Sequence, residues 1–235
     1  MTEGHNDRGP GVIALPGRWA LVIVDMQQAG YADRDEAGLQ QMPGFGERVG
    51  RLATVLERCR QTGAPVVHLQ EVHRRSMLDF GRELDGSEGP HFLEGDTLTE
   101  IVPRLAPAPG EPHIVKRRYS GFFGTDLDIV LRGLGVAGIV LAGELTDVCV
   151  HYTFVDAHQL DYHVRVIEDC CGGSTRARHD AALDAMAYLQ SAARCTAEEI
   201  LAALGRRSLE APDPAVSTGP GLRAGGTGQG LAQAI

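Results

Sequence analysis

The chain has 235 residues, of which 43% are hydrophobic and 23% are charged, a balance typical of one globular domain with a full hydrophobic core. The net charge of -9 is scattered along the chain, which argues against nucleic acid as a partner. Five cysteines, an odd number, argue against a disulfide framework, and no apolar run approaches the roughly 20 residues that span a bilayer. We therefore expect a cytoplasmic protein with no membrane partner.

A first strand is predicted over residues 19–25, after a flexible N-terminal segment over residues 1–14. The strand is apolar, is rich in β-branched residues and ends in the carboxylate of Asp25. Ligands of an open α/β sheet bind at the carboxyl ends of its strands, so Asp25 is a candidate site residue. The alternative is that Asp25 caps a helix or forms a turn.

The next elements are a helix, a strand and a long insertion. Residues 46–61 carry an apolar stripe at helical spacing, and residues 65–69 form a short buried strand. Residues 74–105 are rich in Gly, Glu and Pro, and we expect this insertion to cover a site because the chain then returns to the sheet. The next strand, over residues 113–116, ends at Lys116, which is either a site residue or a solvated charge.

Another apolar strand, over residues 136–142, leads into a helix over residues 148–159 with Cys149 in its first turn. Unpaired N–H groups and the positive end of the helix dipole favour a thiolate there, and the same N–H groups could hold an oxyanion. The alternative is a buried, inert thiol. Three strands that end near Asp25, Lys116 and Cys149 would bring these side chains to one edge of one sheet, which packing alone does not explain.

Further helices are predicted over residues 126–133, 178–192 and 196–204, with one more strand over residues 162–167. Residues 210–235 are dominated by Gly, Pro, Ala and Thr and are predicted to form a disordered tail, which leaves a single domain over residues 15–209. Because strands and helices alternate, we predict an α/β fold with a three-layer α/β/α, doubly wound, mainly parallel sheet.

Three segments resemble the signatures of the isochorismatase-like cysteine hydrolases. They are the strand end VDMQ, the segment KRRYSGFFGTDLDIVLRGLGV and the block LAGELTDVCVHYTFVDAHQLDYHVRVIEDC. The family includes nicotinamidases, N-carbamoylsarcosine amidases, and ureidoacrylate and biuret hydrolases, and the resemblance covers about residues 18–204. It implies the isochorismatase-like hydrolase fold and a catalytic triad of Asp25, Lys116 and Cys149.

The resemblance also implies how the site works. A cis peptide between Glu144 and Leu145 would turn a backbone N–H toward the site, so that the N–H groups of Leu145 and Cys149 form the oxyanion hole. Asp25 would carry the thiol proton to the leaving nitrogen, while Lys116 would hold Asp25 and lower the pKa of the Cys149 thiol. The reaction would then need no imidazole.

No metal and no cofactor are expected. Nicotinamidases of this family usually carry a metal motif of Asp-x-His with a further His in the loop after the first strand, and here that loop, residues 26–42, contains no His. Both a metal and nicotinamide are therefore disfavoured. A papain-like pairing of Cys149 with His151 or His179 matches the sequence less well than the triad.

The segment that follows Lys116 most resembles the branch acting on N-carbamoyl and ureido compounds. In biuret hydrolases a Gln well downstream of the cysteine binds the terminal carbamoyl group, which implies that role for Gln190, and the alternative is an exposed helix residue. Arg117 either binds a carboxylate or is solvated. The apolar wall of the pocket is expected from Phe122, Phe123 and Tyr31.

These residues predict a cysteine amidohydrolase that cleaves a C–N bond of a small ureide, N-carbamoyl or carboxamide compound through a thioester intermediate. The alternatives are a hydrolase for another amide, such as maleamate or nicotinamide, and a non-catalytic scaffold that keeps the fold. We expect a homo-oligomer, a dimer or a tetramer, with a small-molecule substrate as its other partner.

Overall fold

The structure is a computed structural model that describes residue 13, residue 15 and residues 17–207. The predicted tail over residues 210–235 and the predicted flexible segment over residues 1–14, apart from residue 13, lie outside the described residues. Within the described part of the chain there are six strands: β1 (Trp19–Val24), β2 (Val66–Glu71), β3 (His113–Lys116), β4 (Gly138–Glu144), β5 (His163–Gly172) and β6 (Arg194–Cys195).

Helices cover both faces of the sheet. Alternate side chains of β1 point to opposite faces, so Ala20, Val22 and Val24 belong to one core cluster and Trp19, Leu21 and Ile23 to the other. The first cluster is closed by α3 (Leu127–Gly133), α4 (His151–Gln159) and α5 (Arg176–Leu189). The second is closed by α2 (Phe45–Thr62) and α6 (Ala197–Arg207). A short helix, Arg34–Ala37, precedes α2, and a π-helical turn, Thr146–Val150, precedes α4. The Arg34–Ala37 helix is α1.

The predicted fold class is confirmed, since all strand pairs are parallel and the sheet is a single layer between two layers of helices. Strand β1 is buried at all six positions, as expected of a central parallel strand that is covered on both faces. Strand β5 extends to Gly172, five residues beyond the predicted end at residue 167. Strand β6 is not predicted, because two residues carry no periodic pattern.

The strand order places one crevice in the middle of the sheet. The order is β3-β2-β1-β4-β5-β6, so the chain moves outward from β1 in one direction and then returns to add β4 on the other side of β1. In a doubly wound sheet, the loops that follow the two strands at such a switch point run in opposite directions and leave a ligand crevice between them. Here that crevice lies beyond the carboxyl ends of β1 and β4.

The long insertion over residues 74–105 is anchored above this end of the sheet. It contains three short 3-10 helices, Glu83–Asp85, Thr97–Thr99 and Pro103–Leu105. Single bridges join His73 to Leu93 and Gln27 to Ile101, so the middle of the insertion is tied to the segment after β2 and its end to the segment after β1. The insertion is therefore held by backbone pairing as well as by packing.

Two further properties of the described residues bear on function. None of their helices is both long and apolar enough to cross a membrane. All five cysteines are buried and free, so no disulfide joins them in the described structure.

Gly143 tests how closely β1 and β4 approach each other. It pairs with Val24 and has a φ of 135°, and an added Cβ would lie 1.9 Å from the Val24 carbonyl oxygen. We expect Gly143→Ala to lower the free energy of unfolding by at least about 2 kcal/mol, because both the backbone conformation and the contact are forbidden to a larger residue. The measurement is urea denaturation followed by circular dichroism.

The matched control is Gly133→Ala at the end of α3, where an added Cβ would have nothing within 4 Å. This variant should change the free energy of unfolding by no more than about 1 kcal/mol. Equal stability losses in the two variants would show that the β1–β4 contact is not the reason for the glycine.

Candidate active site

Three predicted residues meet at the carboxyl edge of the sheet. Asp25 follows β1 with a φ of 49°, Lys116 is the last residue of β3, and Cys149 lies in the π-helical turn after β4. The Lys116 Nζ atom lies 2.7 Å from Asp25 Oδ2 and 3.4 Å from Cys149 Sγ. All three residues are buried, so the ammonium interacts with its partners through little water.

Glu71 joins this group, and the sequence analysis does not identify it. It is the last residue of β2, and its Oε2 atom accepts a hydrogen bond from Lys116 and lies 3.4 Å from Cys149 Sγ. The sequence does contain a pattern that indicates this residue, because Glu71 comes at the end of an apolar strand, as Asp25 does. The predicted strand stops at residue 69, two residues short of the carboxylate. The buried ammonium therefore contacts two carboxylates and one thiol.

The two carboxyl groups differ in their pKa. Burial raises the pKa of Asp25 to about 6, Lys116 opposes this rise and Glu71 adds to it. Burial also acts to raise the pKa of Glu71, but Lys116, His73 and His91 outweigh it and hold that pKa well below its ordinary value. Glu71 therefore stays ionised, while Asp25 is able to gain and lose a proton near neutral pH.

The thiol is not activated in the way that the sequence suggests. Burial raises the pKa of Cys149 well above its ordinary value, and Lys116 only partly opposes this effect because Glu71 and Asp25 act with burial. Lys116 thus acts on the pKa of Cys149 in the predicted direction, but the expected net lowering of that pKa is wrong because burial and the two carboxylates outweigh it. A buried thiol flanked by two carboxylates remains protonated until a base removes its proton.

The turn before Cys149 has the predicted backbone geometry. The peptide bond between Glu144 and Leu145 is cis, as the family resemblance implies. The Leu145 carbonyl accepts hydrogen bonds from the N–H groups of Val148 and Val150, at 3.0 and 3.1 Å. Within the described residues, the Leu145 N–H donates to no acceptor, and both Leu145 and Cys149 line the same cavity. This N–H is available to a ligand.

The cavity above Cys149 has an apolar side and a polar side. Leu39, Phe45 and Phe92 supply apolar surface, and Phe92 belongs to the insertion that follows β2. Glu88 and Glu144 add carboxyl groups to those of the buried cluster. Because insertion residues form part of the wall, the insertion covers the site as expected from the sequence.

Gln190 does not reach this cavity. Its side chain accepts a hydrogen bond from the Val164 N–H and donates one to the Tyr162 carbonyl, both at 3.0 Å, at the start of β5. Helix α5 begins beyond the carboxyl end of β5 and runs back along the sheet, so its last turn lies at the amino ends of the strands. The prediction that Gln190 reads a carbamoyl group is therefore wrong, and its amide ties α5 to β5.

The other predicted substrate contacts also lie outside the cavity wall. Arg117 donates hydrogen bonds to the Val72 carbonyl and to Glu94, so it is not free for a carboxylate. The three predicted aromatic residues do not line the cavity either. Tyr31 is 56% exposed and packs edge-on against Phe45. Phe123 is 64% exposed, and Phe122 packs near Tyr162. Side-chain direction in these loops depends on tertiary packing, which residue type alone does not reveal.

A second buried cluster adjoins the first through Glu71. His73 Nε2 lies 3.0 Å from Glu71 Oε1 and 3.2 Å from Glu83 Oε2, and His91 Nε2 lies 3.3 Å from Glu71 Oε1. The other ring nitrogen of His91 lies 2.7 Å from the Gly89 carbonyl. The expectation of no metal rested on the loop over residues 26–42, and this cluster lies outside that loop.

The donor set of this cluster fits a divalent cation, because two imidazoles and two carboxylates offer atoms within 4.8 Å of one another. Such an ion would supply Lewis acidity beside the cavity. Protonated imidazoles would balance the charge of the same carboxylates without an ion. Burial acts to lower the pKa of His73, but Glu71 and Glu83 outweigh it and raise that pKa to about 9.

Known proteins match this chain over most of its described residues. The family model named Isochorismatase domain matches residues 19–199. A ureidoacrylate amidohydrolase RutB of Rhizobium rhizogenes is 31% identical over 175 residues, covering 66% of this chain and 70% of that protein. The RutB of Caulobacter segnis is 31% identical over 200 residues, covering 72% and 82%.

A solved structure agrees with these sequence matches. The crystal structure of N-carbamoylsarcosine amidase from Thermoplasma acidophilum superposes with a TM-score of 0.65 at 29% identity. The match covers 77% of this chain and 98% of that chain.

The protonated state of His73 predicts how stability depends on pH. Its pKa is raised from 6.5 to about 9 in the folded protein, so its contribution to stability is complete below pH 6.5 and is lost as the pH rises through about 9. With a chelator present, the difference in melting temperature between the wild type and His73→Gln should therefore shrink from pH 6.5 to pH 10. Thermal denaturation of both proteins measures this.

A bound cation would produce the opposite trend, because metal affinity rises as imidazoles lose their protons. Stabilisation by Zn²⁺ or Mn²⁺ that grows with pH and is absent in His73→Gln would contradict the interpretation that protonated imidazoles, and not an ion, balance the carboxylates of this cluster. The comparison with His73→Gln removes the effects of lysines, tyrosines and cysteines that titrate over the same range.

Proposed function

This chain belongs to the isochorismatase family and is a hydrolase of C–N amide bonds, and we propose that it cleaves a small ureide or carboxamide through a thioester on Cys149. The observation that carries this proposal is the buried Lys116 ammonium in contact with Asp25, Glu71 and Cys149, where Asp25, Glu71 and Cys149 line one cavity. The fixed positive charge is thus within reach of both the nucleophile and the proton carrier, and these two groups offer atoms within 4.8 Å of each other.

The first half of the reaction forms the acyl enzyme. Asp25 takes the thiol proton as Cys149 Sγ attacks the carbonyl carbon, so the negative charge passes from the carboxylate through sulfur to the carbonyl oxygen. The N–H groups of Leu145 and Cys149 are proposed to hold that oxygen. Asp25 then gives the proton to the leaving nitrogen, which departs as a neutral amine or as ammonia.

The second half restores the enzyme. Asp25, ionised again, removes a proton from a water molecule that attacks the thioester carbonyl, and Cys149 leaves with that proton. Lys116 keeps Asp25 in place and lowers the energy of the anionic states, since it is the positive charge nearest to both. Glu71 is proposed as a positioning residue, because its low pKa keeps it ionised throughout.

The choice of a ureide rests on relatives. Two proteins about one-third identical to this chain are named for ureidoacrylate, and the solved structure at 29% identity is named for N-carbamoylsarcosine. Both names denote compounds with an H₂N–CO–N group. The direct test is ammonia release from a panel of biuret, N-carbamoyl acids and their amides, ureidoacrylate, maleamate and nicotinamide, in which we expect turnover of the ureides.

The nucleophile is tested by replacing one buried cysteine at a time. Cys149→Ser should lower kcat at least about a thousandfold while the melting temperature changes little, because an alcohol is a far poorer nucleophile of almost the same shape. The control is Cys195→Ser, since Cys195 Sγ already donates a hydrogen bond to the Val166 carbonyl and serine can do the same. That variant should keep its activity within about threefold. Ammonia release near the wild-type rate from Cys149→Ser would exclude the covalent route.

The roles of the two carboxylates are tested by two amide substitutions. Asp25→Asn should lower kcat about a thousandfold or more, because the amide can neither take nor return the proton. Glu71→Gln should cost less, about 10- to 100-fold, because a positioning charge is lost while the proton carrier remains. Steady-state kinetics on one ureide measures both, with circular dichroism as the check on folding. A larger loss in Glu71→Gln would make Glu71 the proton carrier.

A further inference from the structure

Glu144 is a buried carboxylate of the cavity for which the mechanism has no use. It is the last residue of β4, is 6% exposed and lines the same cavity as Asp25 and Cys149. Its Oε1 atom accepts a hydrogen bond of 2.6 Å from Arg48 Nε. Among the described residues, its Oε2 atom has no hydrogen-bond partner. A buried oxygen without a donor is costly unless a ligand supplies one.

Arg48 is built into the fold in a way that fixes this carboxylate. It lies on α2, is 3% exposed and donates two more hydrogen bonds, to the carbonyls of Pro43 at 2.8 Å and Met42 at 3.3 Å. An added Cβ at Gly172 would lie 2.4 Å from the Arg48 Cζ atom, so the glycine makes room for the guanidinium. The pair therefore presents Oε2 as a rigid acceptor rather than as a mobile charge.

The rest of the cavity wall is also rich in acceptors. Asp25, Glu71 and Glu88 line it together with Glu144, and within the described residues no lysine or arginine does. Glu88 receives a hydrogen bond from Tyr119, at 2.9 Å. The His91 imidazole also lines the wall, but its two ring nitrogens already lie 2.7 Å from the Gly89 carbonyl and 3.3 Å from Glu71 Oε1. A ligand carboxylate would thus approach four carboxyl groups without a free cationic partner, whereas N–H donors of a ligand would find acceptors.

We propose that Glu144 Oε2 accepts a hydrogen bond from a substrate N–H and so selects uncharged, N–H-rich ureides or amides over substrates that carry a carboxylate. This inference rests on the proposed function and names the class of its substrate. It separates this chain from relatives named for ureidoacrylate, which is an anionic ureide. Glu144 is a specificity-determining residue in this account and takes no part in proton transfer.

The raised pKa of Glu144 agrees with a buried carboxyl group that lacks one hydrogen-bond donor. Burial raises its pKa to about 8, although Arg48 acts to lower it. One hydrogen bond from Arg48 is therefore not enough to keep the group ionised at neutral pH when no ligand is bound. A second donor, from the bound substrate, would stabilise the ionised form.

The test uses two ligands with the same ureide, N-carbamoylglycine and its primary amide N-carbamoylglycinamide. Binding of both is measured by calorimetry on Cys149→Ser protein, so that the result does not depend on turnover. We expect the amide to bind at least about tenfold more tightly than the acid, since only the acid brings an unpaired charge into the cavity. Equal affinities, tighter binding of the acid or no binding of either ligand would overturn the proposal.

The second variant is Glu144→Gln, made in the Cys149→Ser protein. Arg48 still needs an acceptor and would bind the amide oxygen of the glutamine, so the amide nitrogen, a donor, replaces the acceptor Oε2. Affinity for the amide should fall about 10- to 100-fold and the preference over the acid should narrow. The control is Glu168→Gln, whose carboxylate pairs with Arg194 at 2.7 Å outside the cavity and whose loss should leave both affinities unchanged.

The two proposals fail in different ways. If the wild type releases no ammonia from either ligand or from the wider panel, while the amide still binds more tightly than the acid, the proposed function is wrong and the assignment of Glu144 stands. If both ligands are hydrolysed but bind equally well, the proposed function stands and the assignment of Glu144 is wrong. If Glu144→Gln does not fold, replacing the terminal amide of the ligand by an N,N-dimethyl amide removes the two N–H groups that distinguish the amide from the acid, and unchanged binding would overturn the proposal.

Discussion

The structure depends on one buried positive charge. Lys116 has no exposed surface, and an ammonium in such a place is tolerated only when opposite charges and acceptors surround it. Asp25, Glu71 and the carbonyl of Arg118 do this, with the Cys149 thiol at 3.4 Å. The arrangement has more negative partners than positive ones, and this excess makes one carboxyl group available as a proton carrier while the other stays ionised.

The sheet topology explains why these groups can meet. Each comes from the carboxyl end of a different strand or from the turn beyond it, and the strand order brings β1 next to β4 and β2 next to β3. Parallel strands place all of these ends at one edge, and the switch in winding direction between β1 and β4 opens a crevice there. The insertion that follows β2 then closes the crevice and carries His91 and Glu88 to its wall.

Binding and chemistry are divided between two parts of the wall. The ends of β1, β2 and β3 hold Lys116 and its two carboxylates, whereas the acceptor groups that would face a ligand come from Glu144 at the end of β4, from the insertion and from the segment before α2. This division lets substrate preference change without disturbing Lys116 and its partners. Glu144, which Arg48 holds in the space that Gly172 leaves open, is proposed as such a residue.

The sequence alone was sufficient for the layered fold and for the meeting of Asp25, Lys116 and Cys149, because apolar strands that end in reactive residues report both the sheet and its functional edge. It missed Glu71 because the predicted second strand ended two residues too early. It placed Gln190 at the wrong edge because spacing along the chain does not show in which direction a helix crosses the sheet. Tertiary structure alone decided the net pKa of Cys149, the second buried cluster and the partner of Glu144. The physical reason is that burial and charge pairing depend on neighbours that are distant in the chain, and these effects outweigh what a residue's local sequence favours.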